Sequence, residues 1–300
     1  MIRVAWNRKY AHPLPDNHRF PMEKYQLVPE QLEHEGTVDA DAFFSPEPLC
    51  ESQILSIHEA EYWRRLKGLE LSRQEERKTG FPHSHALIDR EVMIMGGTLQ
   101  CARYALENGV ALNVAGGTHH AYANRGEGFC LLNDLALAAQ VLLDEGKVQR
   151  ALVVDLDVHQ GNGTAKIFHG RPEVFTFSMH GAGNYPMHKE SSDLDVPLAD
   201  GIDDRSYLNL LRENLPLIMD QSEPDLVLYQ CGVDILDTDK LGRLGVTEGG
   251  CRERDRMVFE ACHRNEVPVV CAMGGGYSPE IWNIVEAHCH TFRLAAEFWG

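Results

Sequence analysis

The chain of 300 residues is predicted to fold as one α/β domain spanning 1–300, a mostly parallel central sheet with helices on both faces. Three observations predict it. Five short apolar runs, at 110–115, 151–156, 174–177, 226–229 and 267–272, have the length and β-branched content of strands buried on both faces. Helical stretches separate many of them, and such alternation is the pattern of parallel crossover connections. A composition of 43% hydrophobic and 24% charged residues is that of a globular chain, which excludes collagen-like, low-complexity and wholly disordered proteins.

Taken in order, the first fifty residues are rich in Pro and His (HPLPDNHRFP, FFSPEPLC) and read as loops and short helices wrapped on a core. A helix is expected over 51–71, and RQEERK at 73–78 reads as a solvated helix face or loop. The stretch 89–108 is more clearly helical, with Met93, Leu99, Ala102 and Leu106 as its buried face. Strands are then expected at VALNVA, ALVVDL, VFTF, LVLY and VPVVCA, with helices at 131–145, 207–220 and 253–265. Trp282, Phe292 and Phe298 read as C-terminal packing. The pattern leaves the order of the strands open.

Charge and cysteine content narrow the function. Lys+Arg 28 against Asp+Glu 45 gives a net −17, a field that repels a phosphate backbone and disfavours nucleic acid as the main partner. Eight cysteines include no C-x-x-C pair, and several sit in apolar runs as reduced, buried thiols would. No apolar stretch approaches the roughly 18 residues of a membrane span, and MIRVAWNRKYAHPLP has no signal-peptide pattern. The expected location is cytoplasmic, with no membrane partner. No phosphate-binding glycine motif is present either.

Ligands of open α/β sheets bind beyond the carboxyl ends of the strands, so the residues following each run matter most. They are Gly116-Gly117-Thr118-His119-His120, then Asp155-Leu156-Asp157-Val158-His159, Ser178 and His180, Gln230-Cys231-Gly232-Val233-Asp234, and Gly274-Gly275-Gly276-Tyr277. Five chemically competent endings point to one site. Asp155, Asp157 and His159 alternate along an extended segment and can project the same way. Crowded carboxylates call for a cation, and one His with two carboxylates, Asp234 included, leaves a metal position open for water. Taken alone, D-x-D-x-H is also what a capping Asp and a hydrogen-bonded His would give. His119 and His120 are candidates for general base and acid, against a second metal site or a surface pair. Tyr277 can offer a phenol to a developing oxyanion.

These stretches resemble the histone deacetylase superfamily, of the arginase-deacetylase fold. The resemblance rests on GGTHHA (116–121), GFCLLND (128–134), VVDLDVHQGNGTAKIF (153–168), FTFSMH (175–180), YQCGVDILDTDKLGRLGVT (229–247) and MGGGYS (273–278), in family order. HPLPDNHRFPMEKY extends it to nearly the whole chain. It implies a metal-dependent hydrolase of linear amide bonds, removing acetyl or longer acyl groups from Nε-acyl-lysine or from an acylated polyamine. Zinc, or iron(II) on the same ligands, would be held by Asp157, His159 and Asp234. His120 would be the proton shuttle, His119 an electrostatic partner oriented by Asp155, and Tyr277 the donor to the carbonyl. Gly128, Phe129 and Tyr185 would line the acyl-lysine tunnel, with Gly275 also at the substrate. A structural potassium ion is implied at Asp155, Ser178 and the carbonyls of Asp157, His159 and Met179. Asn162 stands where many members pair the shuttle histidine with Asp, so His120 should be less basic; HQGNG resembles the class IV, histone-deacetylase-11-like branch and its bacterial relatives.

Two other readings stay in view. A non-catalytic acyl-lysine binding protein would be marked by loss of Tyr277, a ligand or both histidines, and all are present. An arginase-type site would use two manganese ions and more carboxylates. His12, His18, His34, His58, His83, His85, His263, His288 and His290 read as surface, capping or hydrogen-bonded residues, His83 and His85 being weighed against a place at the tunnel rim.

Overall fold

The computed structural model describes residues 2–300. Its strands are β1 (Arg3–Ala5), β2 (Phe43–Phe44), β3 (Val110–Asn113), β4 (Ala151–Asp155), β5 (Val174–Gly181), β6 (Leu194–Leu198), β7 (Leu226–Gln230) and β8 (Val269–Ala272). They form one sheet in the order β2-β1-β3-β8-β7-β4-β5-β6, and every adjacent pair is parallel. All residues of β3, β4, β7 and β8 are buried, which requires cover on both faces.

The helices are α1 (Lys24–His34), α2 (Glu51–Ile54), α3 (Ala60–Lys67), α4 (Arg73–Thr79), α5 (His85–Asn108), α6 (Asp134–Asp144), α7 (Asn162–Phe168), α8 (Asp204–Ser222), α9 (Glu248–Arg264) and α10 (Ile281–Trp299). α5 packs on α6, while α8, α9, α10 and α1 form a second packed series, and members of both lie against the sheet. One continuous apolar cluster runs from Ile2 to Ala295.

Five strands fall where the apolar runs predicted. β1, β2 and β6 were not anticipated. The first two have 3 and 2 residues, too few for a pattern, and β6 (LDVPL) is an edge strand, where Pro197 loses no ladder bond that matters. The helix expected over 51–71 is two helices. His58 turns inward between them, where its Nδ1 meets the Tyr122 carbonyl at 3.1 Å and its Nε2 accepts from the Asn133 N–H at 3.1 Å. Among the first fifty residues α1 is longer than the short helices expected, with Pro29 inside it. α9 starts at Glu248, ahead of the predicted 253, because the Thr247 hydroxyl caps it and Gly250 packs on Asp204. Residues 73–78 are helical, with Ser72 and Glu75 forming a capping box. Trp282 is 59% exposed and does not pack as expected; Phe292 is buried and Phe298 is packed against the core.

Candidate active site and metal centre

The carboxyl ends of β3, β8, β7 and β4 stand side by side in the sheet. Their following loops therefore converge, and the first product is a buried trio. Donor atoms of Asp157, His159 and Asp234 lie within 4.8 Å of one another. His159 Nδ1 is 3.0 Å from Asp157 Oδ1 and 3.1 Å from Asp234 Oδ2. Backbone N–H groups of His159 and Gly275 donate to Asp157, and that of Val158 to Asp234, at 2.9–3.0 Å. Two glycines make room: a Cβ on Gly275 would stand 2.0 Å from Asp234 Oδ2, and one on Gly232 2.1 Å from Asp157 Oδ2.

Two carboxylates share this space with one imidazole. Burial, then the Asp157 charge, pushes Asp234 up to about 7. Burial opposes a charged His159, yet the two carboxylates outweigh it and raise the ring to about 10. The trio thus lacks positive charge and draws a proton to supply it, which fits a divalent cation of zinc type. A second group with ligand spacing, Glu248, Glu286 and His290, lies at the surface. Arg293 already pairs with Glu286 there, so that cluster is an ion-pair network.

The GGTHH turn after β3 is held by Asp134 at the start of α6. Its carboxylate accepts from the N–H groups of Gly117 and Thr118 and from the Thr118 hydroxyl, at 2.8–3.0 Å. Gly116 and Gly117 have φ of 81° and 72°, which a side chain would strain. The two histidine rings lie 4.1 Å apart, centroid to centroid, with different partners. His119 Nδ1 is 2.7 Å from Asp155 Oδ2, and His120 Nδ1 is 2.7 Å from Asn162 Oδ1. The Asn162 amide donates to the Tyr122 hydroxyl at 3.0 Å, so its oxygen faces His120 and that ring nitrogen carries hydrogen. Burial works against charge on both rings. Asp155 and Asp157 outweigh it at His119 and raise it to about 9. At His120 burial, then the neighbouring His119 and His159, drive the ring well below its usual range.

Tyr277 is held by its own N–H, which donates to Asp239 Oδ2 at 2.6 Å. Burial, then the charges of Asp234 and Asp157, pushes its phenol well above the usual range, so it stays a donor. Asp157, His159, His119, His120, Gly275 and Tyr277 all border one cavity of about 40 Å³. A recess of about 280 Å³ shares His120, His159 and Tyr277 with it and adds Tyr185; Gly128 and Phe129 line both. Phe129 adopts φ 66°, held by its N–H to the Thr79 carbonyl and by packing on Phe20 and Phe81. A larger groove of about 950 Å³, between residues 11–27 and 277–281, holds none of the trio and neither paired histidine.

Asp155 lies opposite Ser178 in the β4–β5 register, next to Met179. The Ser178 hydroxyl is 2.9 Å from His180 Nδ1, a partner the sequence did not suggest. His83 meets the Thr79 hydroxyl, and neither it nor His85 lines the two site cavities. Several supporting residues were missed by sequence reading. Lys24 is fully buried and donates to the Gly274 carbonyl at 2.8 Å. Burial lowers it to about 8 against the pull of Asp234, Asp157 and Asp239. Arg254, also fully buried, donates to the carbonyls of Gly232, Cys231 and Leu156 and so ties the β7 and β4 loops together. Gln230 bridges the Gly117 carbonyl and Asp157. Asp239, Gln230 and Lys24 lie within quoted stretches without being marked there as site residues, and Arg254 sits on a helix where nothing local marks it.

An all-parallel sheet with carboxylates, histidines and a buried phenol gathered at its carboxyl edge defines a class, the α/β proteins whose polar site stands at the carboxyl ends of the strands. The comparisons with known proteins are more specific. The model of the histone deacetylase domain matches residues 18–292. A Picosynechococcus protein, itself uncharacterized, is 41% identical over 99% of both chains. Histone deacetylase 2 of Arabidopsis thaliana is 30% identical over 87% of this chain and 70% of its own. The acetoin utilization protein AcuC of Staphylococcus aureus is 30% identical over 92% and 77%. A histone deacetylase homologue from Aquifex aeolicus superposes with a TM-score of 0.84 at 24% identity, covering 97% of this chain and 82% of that one. A homologue complexed with SAHA gives 0.83 at 23%, covering 98% and 82%. The chain belongs to the histone deacetylase family.

Proposed function

We propose that the chain is a zinc-dependent amide hydrolase that removes short acyl groups from Nε-acyl-lysine. The observation that carries this reading is the meeting, around one small cavity, of Asp157 and His159 with Asp234 behind them, two oppositely biased histidines and a protonated tyrosine. Zinc held by Asp157, His159 and Asp234, or iron(II) on the same donors, would lower the pKa of a water and polarise the acyl carbonyl.

The chain's own groups supply the rest. His120, neutral and with Nδ1 occupied by Asn162, takes the proton of the attacking water on Nε2. It returns that proton to the departing lysine amine as the C–N bond breaks. His119, held by Asp155 and biased toward its charged form, stabilises the negative charge that develops on the acyl oxygen. Tyr277 donates its hydroxyl to the same oxygen. Gly128, Phe129 and Tyr185 would flank the aliphatic part of the lysine. A potassium ion at Asp155, Ser178 and the carbonyls of Asp157, His159 and Met179 is part of the proposal, supported by the facing of Asp155 and Ser178.

The cavity bordered by Asp157 and His159 measures only about 40 Å³, which favours acetyl over a long chain. Asn162 within HQGNG supports the class IV branch. The complete catalytic set favours turnover over a binding-only role. The test is turnover of a fluorogenic acyl-lysine peptide series, acetyl to myristoyl, by zinc- or iron-loaded protein. We expect acetyl to lead, and Tyr277→Phe to lose about 10²–10³ in kcat while keeping its metal. No turnover across the series, or an unimpaired Tyr277→Phe, would sink the reading.

A further inference from the structure

We propose that the substrates of this site carry acidic residues beside the acylated lysine, and that Arg19, Lys78 and Arg243 read them; this rests on the deacylase reading above. The 280 Å³ recess is lined by these three cations and by no carboxylate. The chain as a whole has 45 acids against 28 bases, so its composition alone would give the opposite sign. The three come from separate segments, the stretch before α1, the end of α4 and the loop after β7, and meet only through the fold.

Each lies at the mouth. The Arg19 guanidinium lies 4.9 Å from the centre of the Phe129 ring. The Lys78 carbonyl accepts from the Gly128 N–H at 2.9 Å, which sets Lys78 beside the Gly128–Phe129 wall. Arg243 has one loose partner, Asp200 at 3.6 Å, with both side chains more than half exposed. Arg19 and Lys78 form no ion pair among the described residues. Glu127, close to Tyr185, is already engaged by the Tyr185 hydroxyl and by Arg125. Arg19 and Lys78 are therefore unpaired at the rim, and Arg243 is held only by an exposed pair that a substrate carboxylate can exchange.

Once the acylated side chain is in the recess, the residues on either side of the lysine must rest on this rim. At about 0.15 M salt the screening length is about 8 Å, so the distant −17 contributes little and the local cations decide. Carboxylates flanking the lysine are attracted. A polyamine, whose remaining nitrogens are cationic, is repelled, so the rim favours acidic peptides over acylpolyamines.

The test is fluorescence anisotropy at about 0.15 M salt with zinc-loaded Tyr277→Phe protein, whose slowed turnover leaves the peptide intact during the measurement. The probes are labelled acetyl-lysine peptides flanked by Asp/Glu, by Gln/Ser or by Lys, with a monoacetylated polyamine as competitor. We expect the acidic peptide to bind about tenfold tighter than the lysine-flanked one, and the polyamine to compete weakly. Adding Arg19→Gln, Lys78→Gln and Arg243→Gln should shrink that ratio to about twofold. Equal affinities, a preference for basic flanks, or an undiminished ratio in the variant overturns the proposal. Wild-type turnover of the Gln/Ser peptide is run in parallel. Charge-ranked binding without turnover counts against the hydrolase alone, and turnover without charge ranking counts against the rim alone.

Discussion

His119 and His120 are chain neighbours with rings 4.1 Å apart, yet one is drawn toward its charged form and the other toward its neutral form. Both rings are buried; Asp155 at Nδ1 and the Asp157 charge outweigh burial at His119, whereas His120 has His119 and His159 beside it and only an amide at Nδ1. Asn162→Asp should therefore raise the pKa of His120, because a carboxylate stabilises the imidazolium. A base must be neutral to act, so the acid limb of the kcat/KM profile should move to higher pH by about a unit or more. An unmoved limb would separate His120 from the rate. His58 supplies a stability prediction of the same kind. Burial lowers it to about 4, and its Nε2 accepts from a backbone N–H, so only the neutral ring fits. A depressed pKa means stability held above the unfolded value near 6.5 and lost as pH falls from there toward 4. The loss should reach about 3 kcal/mol by pH 4. Urea midpoints across that range should show the His58→Gln variant gaining on the wild type as pH falls.

At the scale of elements, α5 is the support beneath the histidine turn. It lies close to its neighbours through Gly96 and Gly97, where a Cβ would fall 2.0 Å from the Glu47 carbonyl oxygen and 2.4 Å from the Tyr10 hydroxyl. That closeness brings the Thr98 hydroxyl to Asp134 at 2.7 Å, and Asp134 holds Gly117 and Thr118. Gly96→Ala would gain up to about 1 kcal/mol in helix propensity, but contact with backbone cannot relax as a side chain would. The net effect should be destabilisation by about 2 kcal/mol, read as a lower urea midpoint. A midpoint equal to or above the wild type would mean that α5 can shift without cost. α1 acts in a comparable way through Lys24, whose bond to the Gly274 carbonyl fastens the turn that carries Tyr277.

For the molecule as a whole, the site stores repulsion that folding alone does not relieve. Asp157 and Asp234 are both buried and share a single imidazole. A cation bound there stabilises the folded state only, by about 2.7 kcal/mol at a hundredfold excess over its Kd. In a chain of 300 residues that is a rise of several degrees in Tm. Chelator-treated wild type should melt lower than the same protein with zinc restored, whereas Asp157→Ala should melt alike in both. A wild type insensitive to zinc would remove the metal assignment. No helix of the described residues is long and apolar enough to cross a membrane.

The sequence by itself determined the five central strands and what each delivers at its carboxyl end. Those features are local: an apolar run reports burial within its own few residues, and Gly-Gly-Thr-His-His or Asp-x-Asp-x-His is complete within one turn. Tertiary structure decided the rest. The order of the strands and the short edge strands depend on pairings outside each run, and the break at His58 on partners more than 60 residues away. Lys24 and Arg254 look like surface cations on helices until packing buries them against carbonyls of the site loops. Arg19, Lys78 and Arg243 are unremarkable singly and become a rim only when three segments meet. Periodicity and turn chemistry are short-range properties of a chain, whereas the sign of the charge at a cavity mouth is set by which distant segments the core brings together.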